Sequence, residues 1–165
     1  MLSVSSPSLA RAYEGQFGVG VDVGYGALLG GTGVPAHSVP IGLSFWWGLG
    51  DTFQLQTRLT YAPHPAAPPL HLGTASIELV YLLDVLRVVP FLGIGVDLLY
   101  LRWGPADAFE PAAHLLLGLD YLIDRRWIVG LDFRPFILPL EIPARGFAPV
   151  IVTASLRLTM SLDQP

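Results

Sequence analysis

Nine residues able to do chemistry share one kind of setting: Asp22, Glu78, Asp97, Asp120 and Asp132, the basic Arg58, Arg134 and Arg157, and His114. Each lies in a segment where bulky apolar residues alternate with small or polar ones, and each falls on the small or polar side. Charges that share a dry interior are tolerated only as hydrogen-bonded pairs. Arginine is the cation suited to bidentate pairing with carboxylates. The nine basic residues of the chain are all arginine. The expected chemistry is therefore a structural ion-pair ladder, with a gated ion path or a proton-linked site around His114 as sharper alternatives.

A second group, His37-Ser38, His64, His71, Asp107 and Glu110, falls in stretches rich in Pro, Gly and Ala. These residue types can form a base-and-nucleophile or base-and-acid pair, but their neighbours are those of ordinary loops. No catalytic residue is assigned. The sequence has no G-x-S-x-G elbow, no H-E-x-x-H and no P-loop. "GVGVDVG" lacks dinucleotide-binding spacing, and its glycines fall on one strand face. The absence of Cys removes disulfides, Cys-type zinc sites and thiol catalysis. No metal and no cofactor is expected. A formal charge of −4, with arginines mostly scattered singly, argues against a nucleic-acid partner.

The elements that must position these groups read as strands. In "QFGVGVDVGYGALL", Phe17, Val19, Val21, Val23, Tyr25 and Ala27 alternate with Gly18, Gly20, Asp22, Gly24 and Gly26. The same period of two recurs in Val39–Leu49, Phe53–Tyr61, Thr74–Leu83, Phe91–Tyr100, Ala113–Tyr121, Trp127–Arg134 and Val150–Thr159. That makes about eight strands of roughly ten residues. Tight turns are expected near Gly50-Asp51, Asp84 to Arg87 and Ile123 to Arg126. The other connections, "GGTGVPAHS", "APHPAAPPLH", "RWGPADAFEP" and "LPLEIPARGFA", read as long loops. Short turns at one end and long loops at the other describe an antiparallel up-and-down meander that closes into a barrel, with both termini on the short-turn side.

Which face is wet follows from size and charge supply. The chain is 52% hydrophobic and 13% charged, against ~25% charged in soluble domains. A soluble barrel would need charged residues outward on every strand, and these strands offer glycine. An eight-stranded barrel is just wide enough for side chains to fill, which suits a mixed set of small and large polar groups. The apolar face is thus expected outward. Tyr25, Tyr61, Tyr100 and Phe133 would form one aromatic girdle near the long loops. Phe17, Trp47, Phe53, Tyr81, Tyr121 and Trp127 would form the other. A spanning helix is excluded, because the best window, Val80 to Leu101, contains Asp84, Arg87, Pro90 and Asp97. Each charge there would cost ~2.5 to 3.5 kcal/mol at a helix centre.

"VVPFLGIGVDL", "LLLGLDYLI", "WIVGLDFRPF" and the closing "VTASLRLTM" resemble the strand signatures of small bacterial outer-membrane β-barrels of the outer-membrane protein A and X type. The likeness runs from Glu14 to Met160. It implies an integral outer-membrane protein with extracellular long loops and periplasmic termini. The partners it implies are outer-membrane lipid or lipopolysaccharide, the barrel assembly machinery, and an extracellular ligand taken by the loops. Some similar barrels modify lipid A, which would call on the second group of residues above. One departure is the final strand, which reaches Met160 and continues into "SLDQP" where such barrels often finish on Phe. Residues 1–13 are expected to be a tail, with Ala10-Arg11-Ala12 as the remnant of a signal-peptide cleavage site; 14–160 form the barrel and 161–165 a C-terminal tail. The role expected is structural or surface-interacting and non-enzymatic. The alternatives are a soluble lipocalin-like carrier of an apolar ligand and a lipid A-modifying enzyme.

Overall fold

The computed structural model describes residues 15–29, 37–65, 69–83, 87–138 and 150–162. The expected N-terminal tail, residues 163–165 of the expected C-terminal tail, and most of the first and fourth long connections lie outside the described residues; of the C-terminal tail, Ser161 belongs to the final strand and the Leu162 amide donates to the Phe17 carbonyl at 2.9 Å. Nine strands follow one another: β1 (Phe17–Leu29), β2 (His37–Ser38), β3 (Ile41–Gly48), β4 (Phe53–His64), β5 (Leu70–Leu82), β6 (Val88–Trp103), β7 (Ala106–Leu122), β8 (Trp127–Ile137) and β9 (Val150–Ser161). β2 and β3 form one barrel strand interrupted at Pro40, which has no N–H to give to the ladder. The Pro40 carbonyl still accepts from the Gly24 amide at 2.9 Å.

Each barrel strand pairs antiparallel with its sequence neighbour, and β1 pairs with β9 from Gly18–Ser161 to Leu29–Val150. The sheet is a closed eight-stranded antiparallel barrel, all-β among the described residues. Closure leaves no edge strand unpaired along the seam. The wall is staggered: the ladder from Val23 runs one way through Ile41, Tyr61, Gly73 and Tyr100 to Phe109. The other way it runs through Leu156 and Leu131 to Leu119, ten residues further along the same β7. Strands tilt as a consequence, and rows descend from β1 toward β8.

The faces sort as the alternation requires. Outward positions are apolar and exposed, among them Val21, Leu43, Leu59, Ile77, Ile94, Val96, Leu115, Leu131 and Leu156. Asp22, Arg58, Glu78, Asp97, His114, Asp132, Arg134 and Arg157 are buried inside. This orientation removes the soluble-carrier alternative, whose apolar side chains would have to line the lumen.

Two expectations are corrected. "RWGPADAFEP" is not a long loop: β6 and β7 run through it as a hairpin, with Trp103 opposite Ala106 and only Gly104-Pro105 between them. Gly104 takes a φ of 60°, the left-handed conformation that a two-residue hairpin turn needs at its first central position and that glycine adopts without strain. "APHPAAPPLH" is likewise shortened by β4 reaching His64 and β5 starting at Leu70. Among the described residues the wall is therefore taller along β4 to β7 than along β8, whose last described pair to β7 is Ile137 with Ala113. At the opposite end the expected turns near Gly50-Asp51 and at Ile123 to Arg126 connect their strands, while residues 84–86 of the remaining expected turn lie outside the described residues. In the turn at Ile123 to Arg126 the Asp124 carboxylate accepts from the amides of Arg126 and Trp127 at 2.7 and 2.8 Å. Those two hydrogen bonds, the Arg126 amide first, hold the Asp124 carboxyl below the usual carboxylate range.

Candidate functional site

The lumen gathers the first group of residues into one chain of contacts. Arg58 bridges Asp22, in a short ion pair, and Asp132, at 3.4 Å. Arg134 reaches the other oxygen of Asp132 through Nη1 and donates to Glu78 from Nε at 3.3 Å and Nη2 at 3.4 Å. His114 continues the chain, with Nε2 3.4 Å from Glu78 and Nδ1 2.7 Å from Asp97. The ring also lies 4.9 Å from that of Phe136. Seven of the nine residues thus form a single string from β1 across to β6. The other two form a separate pair, in which Arg157 Nη2 forks onto both oxygens of Asp120 at 2.8 and 2.9 Å.

Sequence reasoning missed three parts of this interior. Arg157 also donates to Gln56 at 3.3 Å and lies 5.1 Å above the ring of Phe91. Gln56 shares the inward parity of Arg58, and that was the available signal. The second omission is a pair of apolar layers. Ala62, Leu72, Leu99, Ala112, Phe136, Leu138 and Ile151 pack together on the long-loop side of the ion pairs. Val80, Leu82, Val89, Phe91 and Leu116 pack together toward the short-turn side. The third is Trp46, which is buried inward.

The inward glycines explain how so narrow a tube holds such groups. A Cβ built on Gly95 would stand 2.2 Å from the His114 ring, one on Gly118 2.2 Å from Phe91, and one on Gly130 2.1 Å from the Asp120 carboxylate. On Gly18 it would meet the Trp46 indole at 2.6 Å, and on Gly42 the Asp22 carboxylate at 2.6 Å. Each glycine is the seat of a larger neighbour on the next strand. Beneath the upper apolar layer lies a cavity of about 30 Å³, lined by Asp22, Arg58, Thr60, Arg134 and Ser155 among others. That is room for at least one water molecule.

The girdle residues lie on the outer wall. At the short-turn end, Phe17 pairs in the ladder with Trp47, and Phe53 with Tyr81, whose rings are 5.2 Å apart. Tyr121 and Trp127 complete that side, both exposed. At the other end stand Tyr25, Tyr61 and Tyr100, joined by Phe109, whose ring lies 5.0 Å from Tyr100 and which sequence reasoning had placed in a loop. Phe133 is the exception. The row through Tyr25 descends by way of Ala154 to Phe133, which places Phe133 inside the aliphatic band instead of at its upper edge.

The second group of residues is not brought together. His37 faces out and Ser38 in, so these neighbours cannot act on one substrate atom. His37 is hydrogen-bonded to Tyr25, and His71 to Tyr61 at 2.6 Å, both on the outer wall. His64 is buried inside and bonds the Ala62 carbonyl at 3.1 Å. Asp107 is exposed on β7, cross-strand from Arg102, while Glu110 is half-buried on the opposite face.

No protein-family model matches the sequence, and no curated protein matches it. Solved structures do match in fold. Neisserial surface protein A superposes with a TM-score of 0.69 at 15% identity, over 87% of this chain and 96% of that one. The N-terminal β-barrel domain of Pseudomonas aeruginosa OprF gives 0.63 at 14%, over 90% and 100%. Ail, the attachment invasion locus protein of Yersinia pestis, gives 0.61 at 9%, over 90% and 99%. The chain has the fold of the small eight-stranded outer-membrane barrels.

Proposed function

We propose that the protein is a non-enzymatic integral outer-membrane barrel with a closed lumen. In this reading the taller rim of β4 to β7 and its connections face the outside of the cell, the termini face the periplasm, and the role is envelope integrity or surface interaction. Fold alone does not assign a role, so the reading leans on one observation: the ion-paired layer is sandwiched between two apolar layers inside the tube. An aqueous pore needs a continuous polar path, and hydrophobic constrictions at both ends of the charged layer oppose one. The outward apolar wall with aromatic residues toward its ends supports a bilayer as its solvent, and the fold neighbours support the outer membrane as the compartment. The scattered histidines and acids give no support to a lipid A-modifying activity.

Two measurements test this. Purified barrel in planar bilayers should give no sustained conductance steps, while migration on a gel should change between unheated and boiled samples. Regular unitary currents from the folded form would replace the closed scaffold by a channel.

A further inference from the structure

The lumen glycines each seat a larger side chain; Gly73 does not. It faces outward, its backbone φ is not left-handed, and a Cβ built on it would meet nothing closer than Tyr100 at 3.8 Å. It occupies the ladder position between Tyr61 and Tyr100, so the upper aromatic girdle has a gap one residue wide. Below the gap the outer wall is hollow for about 730 Å³, with Gly73 and Ala75 as the floor and Leu59 and Leu98 among the walls. An adjoining hollow of similar size continues past Ala75 to Thr57 and Ile77, deeper in the apolar band. A groove of this kind accommodates a hydrocarbon chain lying along the wall.

Its upper mouth is polar and basic. His71, two residues above Gly73 on the same face of β5, pairs across the ladder with Arg102 of β6. Tyr61 stacks on the His71 ring, with centroids 6.0 Å apart and planes 13° apart. Tyr61 Oη and His71 Nδ1 lie 2.6 Å apart, which leaves the second ring nitrogen of His71 for another partner, and Arg102 stands beside His71 as its cross-strand neighbour. Asp107 flanks Arg102 from β7, the side away from His71. Arg and His side chains above a hydrocarbon-shaped hollow match an acidic headgroup above an acyl chain.

We propose that this outer groove is a specific seat for lipid A, with an acyl chain over Gly73 and Ala75 and a phosphate at His71 and Arg102. The choice of an outer-leaflet lipid rests on the orientation proposed above. Native mass spectrometry of the barrel released from detergent micelles, loaded with hexa-acylated lipid A or with dioleoyl phosphatidylglycerol, tests it. Wild type should retain lipid A at collision energies that strip phosphatidylglycerol. Gly73→Leu, which fills the groove, and Arg102→Gln, which removes the cation, should each lower lipid A retention at least fivefold, with an unchanged heat-dependent gel shift showing that both fold. Equal retention by all three proteins, or of both lipids by wild type, overturns the proposal. A dimer that Gly73→Leu abolishes also overturns it, by giving the groove to a second copy of the chain. Because the chain has no Cys, a Pro105→Cys variant reports orientation through a membrane-impermeant maleimide on intact cells. Absence of labelling faults the orientation and the lipid A assignment with it. Labelling without lipid discrimination leaves the orientation standing and overturns the groove proposal alone.

Discussion

Arg134 shows what a single residue does in this interior. Its guanidinium contacts both Asp132 and Glu78, and all three side chains are buried. Arg134→Ala should destabilise the barrel by about 3–5 kcal/mol, because the two carboxylates would stay buried without their cation. Urea unfolding from detergent or liposomes measures it, and an unchanged midpoint would show that the string of ion pairs contributes nothing to stability. The seats under the larger groups give a second prediction. Gly95→Val would drive a side chain into the His114 ring and break its contacts to Asp97 and Glu78, so this variant should fold in lower yield than the outward-facing Ala75→Val. At the turn, Asp124 is held below the ordinary carboxylate range, so the folded form favours its ionised state. Its stabilising effect on the turn is present above the unfolded-state value of roughly 4 and lost only as pH falls through the lower folded-state value. Hydrogen exchange at the Trp127 amide should therefore stay slow at mildly acid pH, and Asp124→Ala should accelerate it wherever the carboxylate is ionised, with the difference closing as pH falls through the folded-state value.

At the scale of the strands, the period of two was plain because glycine stands against Val, Leu and Phe, a contrast that survives any shift of register. Ile94 and Val96, exposed on one face of β6, and Asp97 and Leu99, buried on the other, were sorted by parity alone. Ile94→Arg should cost ~2 to 4 kcal/mol in a bilayer, a cost that would be absent if that face met water. The β6–β7 hairpin was not legible, since Pro105, Pro111 and two alanines look like a loop, and its turn depends on one glycine adopting a positive φ. Gly104→Val should accordingly strain the hairpin, and faster proteolysis near residue 104 would report it. Which ion meets which was also out of reach. Parity says that Arg58, Asp22 and Asp132 face inward; only the stagger between strands decides that they meet.

For the whole molecule, the interior is a stack: an apolar layer, an ionic layer and a second apolar layer, wrapped by a wall that, among the described residues, is taller along β4 to β7 than along β8. The apolar layers were hidden in the sequence because Leu72, Leu99, Leu116 and Phe91 sit on the nominally polar parity, where they read as noise among glycines. Opening the stack should need more than one change. Leu99→Ala alone should leave bilayers electrically silent, and current from that variant would show that a single layer holds the seal.

The seam between β1 and β9 carries a consequence for biogenesis. Gly18 bonds to the neighbourhood of Ser161, so the two edges that meet there lie almost a full chain length apart. A ribosome-bound or partly exported chain holds one edge and lacks the other; the cylinder can form only after β9 has been delivered. Until then the unzipped hairpins expose both greasy side chains and free amides, which places the slowest and most aggregation-prone step of maturation at the final zipping of these two strands.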